Sequence, residues 1–146
     1  MRLWHIDLIE YLPKSQLLAQ WRELNSIFKK QDKHILINYV YNYDKKYLYM
    51  YSQELLRVFI NRNYKVKNFD NFINYFADIK DKMRQEYLWS GQKLVQKYRF
   101  TEHNNEYLII CYYNLKEKYL RGQKDFTKEI WERLDSFYQK KIKGKI

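Results

Sequence analysis

PKSQLLAQWRELNSIF, residues 13–28, decides the fold class. Leu17, Trp21, Leu24 and Phe28 recur at the spacing by which an α-helix returns one face to a core, and Pro13 suits a first helical turn. With a rotation of about 100° per residue, Trp21, Leu24 and Phe28 fall within about 40° of Leu17. Gln16, Glu23 and His34 gather near about 240° to 260°, and Arg22, Ser26, Lys29 and Lys33 occupy a sector near about 120° to 180°. One helix, running from Pro13 into the 30s, thus presents an apolar stripe, a polar ridge with a carboxylate and a basic strip.

Outward from it, one Pro and three Gly in 146 residues leave few turns, which favours long helices over a hairpin-rich sheet. A second helix is predicted to begin near Asp44, a capping residue, to carry Tyr47, Leu48, Tyr51, Leu55, Val58 and Phe59 inward, and to end around residues 61–63. Residues 70–76 start a third segment that continues weakly through Arg84 and Leu88 to a break at Ser90-Gly91. A fourth helix spans residues 102–120 and stops at Gly122. A last one aligns Phe126, Ile130, Leu134 and Phe137 before KKIKGKI, residues 140–146, which reads as a solvated basic tail or a phosphate contact. The expectation is an all-α, compact single-domain helical bundle over residues 1–146, with an extended N-terminal segment.

Lys and Arg total 28 against 17 acidic residues, a formal charge of +11 that attracts polyanions. Residues 1–73 hold 12 cations against 7 carboxylates and residues 74–146 hold 16 against 10, so no basic tail is appended to a neutral body. A chain crowded with Lys, Asn, Ile and Tyr is also what an AT-rich coding sequence produces. Charge alone is therefore only a footprint until a site is found. Cys111, the single cysteine, lies in the apolar run YLIICYY and reads as a small core residue of a reducing compartment. That run is far shorter than the roughly 20 residues of a membrane-spanning helix, and Asp7 and Glu10 interrupt any signal-peptide core. A cytoplasmic protein without a membrane partner is expected.

His5, His34 and His103 are scattered, with no HExxH, CxxC or Gly-rich phosphate loop and no GxSxG elbow. No metal and no cofactor is expected. What remains is the helix bearing Arg22 and Glu23, a short stretch after the chain's first residue. Trp21 belongs to the apolar stripe; Trp4, near the terminus, reads equally as core or as a base-stacking residue.

These residues bear a resemblance to the pyrimidine-dimer DNA glycosylase and AP lyase family, in its cellular branch. It is carried by LLAQWREL (residues 17–24), by Lys33-His34, and by YLYMYSQELLRVFINRNYKV (residues 47–66), in the family's order and spacing. The opening MRLWH with YLPKSQLL is similar as well, and the likeness covers residues 1 to about 67. The resemblance implies a helical base-excision repair enzyme whose terminal α-amine attacks C1′ of a damaged nucleotide, forms an imine and cuts the backbone by β-elimination. It places the essential carboxylate at Glu23 and a phosphate-binding arginine at Arg22. Where the family exposes an amine after initiator-Met removal, position 2 here is Arg2, before which Met is not normally cleaved, so Met1 itself supplies the amine. The alternatives are an internal lysine or a site that has lost its activity.

The expected catalytic pair is thus Met1 and Glu23, with Arg2, Arg22, Lys29, Lys33, His34 and His5 as DNA contacts. An α-amine titrates near 7.7 to 8, so roughly one in ten is unprotonated at neutral pH, against fewer than about one in a thousand for an ordinary Lys. The expected partner is damaged double-stranded DNA, met by a monomer. Two competing readings remain. One is a non-catalytic helical module that binds double-stranded nucleic acid on the same scaffold; the other is a helical interaction protein whose basicity reflects genome composition.

Overall fold

A computed structural model describes residues 2–91 and 93–144. Among these residues the secondary structure is entirely helical. The elements are α1 (Lys14–Lys30), α2 (Lys45–Asn61), α3 (Phe69–Tyr75), α4 (Lys80–Ser90), α5 (Lys93–Lys97), α6 (Asn105–Leu120) and α7 (Lys128–Lys143). Two 3-10 turns, Ile6–Tyr11 and Asn38–Asn42, precede α1 and α2 respectively.

α1 starts after Pro13, whose missing N–H costs nothing at a helix entrance. Its stripe of Leu17, Trp21, Leu24 and Phe28 is buried as expected. The helix ends earlier than its periodicity suggested. Gln31 turns left-handed (φ 49°) and closes the last turn onto the Ile27 carbonyl, while Ser26 and Tyr41 hold Asp32 across the bend. Lys33 and His34 therefore leave the helix surface, and the sectors assigned to them on α1 do not exist.

α2 begins where Asp44 accepts the Lys46 N–H at 3.0 Å, and its inward stripe holds. Tyr49, Met50, Ser52 and Leu56 are buried too, because α2 is central, packed against α1, α5 and both 3-10 turns. The weak third segment is two helices, separated where Phe76 enters the core against Tyr49. Leu88 stays exposed rather than extending a stripe. The turn at Gly91 (φ 57°) precedes α5, which the sequence did not signal and which buries Leu94.

α6 starts at residue 105 because Asn104 accepts the Tyr107 N–H at 3.0 Å, and the chain turns at Gly122 (φ 82°), where only Gly is at ease. α7 is capped by Thr127, with Phe126 buried just ahead of it. Tyr138 stacks on Tyr112 at 3.6 Å between ring centres, and the Tyr112 hydroxyl donates to Asp135 at 2.5 Å. The basic C-terminal run is helical to Lys143, with Lys141 lying 3.9 Å from Asp7; residues 145 and 146 lie outside the described residues. The N-terminal segment is extended only over residues 2–5 before the first 3-10 turn, which packs on α2 and α7.

Candidate active site and nucleic-acid interface

The buried start of the chain is a strap whose backbone groups find partners on three sides. Gln20 of α1 accepts the Trp4 N–H (2.7 Å) and donates to the Arg2 carbonyl (3.1 Å). The Tyr107 hydroxyl of α6 donates to the Leu3 carbonyl (2.5 Å), and the Tyr51 hydroxyl of α2 lies 2.7 Å from the Trp4 carbonyl and 2.9 Å from Gln20 Oε1. Ile6 N–H donates to Nδ1 of His103 (3.1 Å). Buried peptide groups without such partners are costly, so this network fixes the path of residues 2–6.

Glu23 stands one turn beyond Gln20 on α1, and Gln20 Nε2 donates to its Oε2 at 2.9 Å. The carboxyl is half-buried. Loss of water raises its pKa above the usual carboxylate value, while the Arg2 backbone N–H, the Gln20 amide and the Arg22 charge pull it back down. The result is a carboxylate more basic than an exposed one, set against the backbone of residue 2. Met1 itself lies outside the described residues.

Beneath the strap is a buried aromatic and imidazole cluster. His103 Nδ1 accepts from Ile6, which leaves the proton on Nε2 to be donated to the Tyr39 hydroxyl at 2.8 Å. His5 packs beside it, with 5.3 Å between ring centres, and its Nδ1 accepts the Asp7 N–H at 3.1 Å. Burial depresses both imidazoles, His5 to about 4 and His103 well below its ordinary value. Burial also pushes the Cys111 thiol up, as befits a core residue.

On the neighbouring sector of α1 opens a groove of about 700 Å³. Lys14, Arg22, Lys29 and Lys30 form one wall and Lys65 and Lys67 the other, with no carboxylate in the lining among the described residues. The far wall is the loop from α2 to α3. Trp21 Nε1–H donates to the Lys67 carbonyl (2.7 Å), and Asn71 donates to Asn25 (2.9 Å), tying that loop and α3 onto α1. Asn63 and Asn68 take left-handed conformations, φ 60° and 56°, that Asn tolerates better than most residues. Six cations in a lining that holds no carboxylate among the described residues focus a positive potential suited to a phosphodiester backbone. Arg22 and Glu23 are successive residues, about 100° apart around the axis. The carboxylate and the groove thus occupy adjoining faces of one helix.

The expected site residues divide accordingly. Glu23 and the backbone of Arg2 come together, and Arg22 and Lys29 line the groove. The Arg2 guanidinium lies 5.8 Å over the Trp4 ring. Lys33 and His34 are exposed in the turn beyond α1, where His34 Nδ1 accepts the Leu36 N–H. His5 is corrected: at 2% exposure and held neutral, it is a packing residue and does not reach a phosphate. Trp4 is likewise buried, so it is core and not a stacking platform. Sequence reasoning missed Gln20, Tyr51, Tyr107, Lys65 and Lys67. The helical wheel contained a signal for Gln20, a polar residue beside the apolar stripe and three residues before Glu23; nothing in the sequence brought residues 65 and 67 to α1.

The sequence model of one family, described as pyrimidine dimer DNA glycosylase, matches residues 1–72. That stretch contains the strap, α1, α2 and both walls of the groove, and it includes the residues on which the resemblance rested. No curated protein and no solved structure matches the chain.

Proposed function

From the match of residues 1–72 to the pyrimidine dimer DNA glycosylase family, we propose that this protein is a DNA-repair glycosylase with AP lyase activity on pyrimidine dimers or a related lesion in duplex DNA. The observation that carries the reading is the strap. Arg2 to Trp4 are tied to α1 at the Glu23 carboxylate, beside a groove of cations.

The Met1 α-amine is the nucleophile in this reading. Its lone pair attacks C1′, the bond from C1′ to the base breaks, and the base leaves with that electron pair and a proton. Loss of the ring oxygen as a hydroxyl gives a protonated imine. Removal of a C2′ proton then expels the 3′ phosphate by β-elimination, and water releases the amine. Glu23 takes the amine proton, faces the cationic intermediate and is the acceptor for the C2′ proton. The groove holds the strand that flanks the lesion, since a contact displaced by one sector of α1 corresponds to a neighbouring nucleotide and not to the reacting one. Phosphate contacts there offset the few kcal/mol needed to unstack a damaged nucleotide.

Borohydride trapping on a duplex with one abasic site tests the reading. A covalent adduct mapping to Met1, lost in Glu23→Gln and after acetylation of the amino terminus, supports it; an adduct on an internal lysine refutes the nucleophile. The second reading, a non-catalytic duplex-binding module, is favoured by Arg2 at the second position and by a family match that stops at residue 72. Duplex binding without any adduct selects it.

A further inference from the structure

We infer that Gln20 is a positioning residue that sets where the first residues of the chain meet Glu23, an inference that rests on the imine reading above. A primary amide has two N–H donors and one oxygen acceptor with two lone pairs. Gln20, 1% exposed, uses both donors and its oxygen. Nε2 donates to the Arg2 carbonyl and to Glu23 Oε2, while Oε1 accepts from Trp4 N–H and lies within 2.9 Å of the Tyr51 hydroxyl.

The orientation of the amide is thereby determined. Flipped, its NH2 would face the Trp4 N–H and its oxygen would face the Glu23 carboxylate, two repulsive contacts in place of attractive ones. One side chain thus reports on two things at once, the path of the strap and the direction of the carboxylate. Because both are referred to the same turn of α1, a displacement of the amide separates the backbone of Arg2 from the acid. The other ties of the strap, Tyr107 to Leu3 and His103 to Ile6, do not pass through Gln20. They keep residues 3–6 in place when it is replaced, so the slack falls on residue 2.

Single-turnover borohydride trapping on an abasic-site duplex, with duplex affinity and thermal melting measured in parallel, tests this. Gln20→Met keeps the volume and removes the hydrogen bonds. Its trapping rate is expected to fall about 100-fold, the effect of roughly 1 Å of misplacement, with duplex affinity changed by less than about threefold. The acid limb of its pH–rate profile moves upward, because Glu23 has lost a donor that favours its ionised form. Gln20→Glu keeps an acceptor for Trp4 but sets a second carboxylate beside Glu23, and moves that limb further. A purely structural role would lower melting without moving the profile. Should Gln20→Met not fold, Tyr51→Phe, which removes one neighbour of the amide, is expected to slow trapping about tenfold, and an unchanged rate there overturns the inference. Wild-type adduct with an unchanged Gln20→Met rate overturns the positioning role alone. No adduct from the wild-type chain overturns it together with the proposed function.

Discussion

Mild acid should unfold this protein through its buried histidines. His5 titrates at about 4 when folded against 6.5 when free, driven first by burial; the neighbouring Asp7 carboxylate opposes the shift and Arg99 reinforces it. The folded pKa is the lower one, so the unfolded chain binds the proton first. Stability is complete above about pH 6.5 and declines as pH falls toward the folded value. A gap from 6.5 to about 4 corresponds to on the order of 3 kcal/mol, and His103, depressed in the same direction, adds to it. That loss lowers the melting temperature by about 6 to 12 °C for a chain of this size. Urea denaturation at half-unit steps from pH 7 to pH 5 isolates the effect, since ordinary carboxylates titrate near 4 and contribute little there. The expected slope is between about 1.4 and about 2.7 kcal/mol per pH unit at the steepest point, for one or two protons taken up on unfolding. His103→Gln removes one proton from the balance and flattens the curve. A profile flat between pH 6.5 and pH 5 would refute the assignment of these imidazoles as buried and neutral.

Three other outcomes follow from the geometry. Lys65→Ala and Lys67→Ala should weaken duplex binding alike on all sequences and each reduce the salt slope by about 1, as measured by anisotropy titrations at several salt concentrations; unchanged slopes would remove the second wall from the interface. Arg62 donates to the Leu12 and Glu10 carbonyls and so locks the exit of the first 3-10 turn onto the end of α2; Arg62→Ala should cost about 1 to 3 kcal/mol in urea titration, whatever the salt. Cys111, fully buried with its thiol pushed up, should react with a disulfide reagent only as fast as the protein opens, so its rate should climb with added urea.

Local patterns were legible along the chain because each depends on a few neighbours. The Leu17 to Phe28 stripe, the Asp44 cap and the turn at Gly122 follow from side-chain period, capping and backbone freedom. α1 ends before its apolar and polar periodicity does because Gln31 adopts a left-handed turn stabilised by Ser26, Asp32 and Tyr41, contacts that no periodicity encodes. The burial of His5 was hidden for a similar reason. His5 shows no local sign of burial, which comes from His103 and Tyr107, about a hundred residues away.

Glu23 and Arg22 were found from sequence as neighbours on one helix, whereas their surroundings were not. Gln20 is visible on the same helical wheel, yet its four partners come from the strap, α1 and α2, and Lys65 and Lys67 reach the groove only because Trp21 and Asn25 hold the following loop and α3 against α1. Side-chain order along the chain was enough for an all-helical fold, its principal stripes and an acid beside an arginine. The tertiary structure alone decided which polar groups lose water and which face each other, because desolvation and hydrogen-bond partnership are set by distances across the fold and not by spacing along the chain.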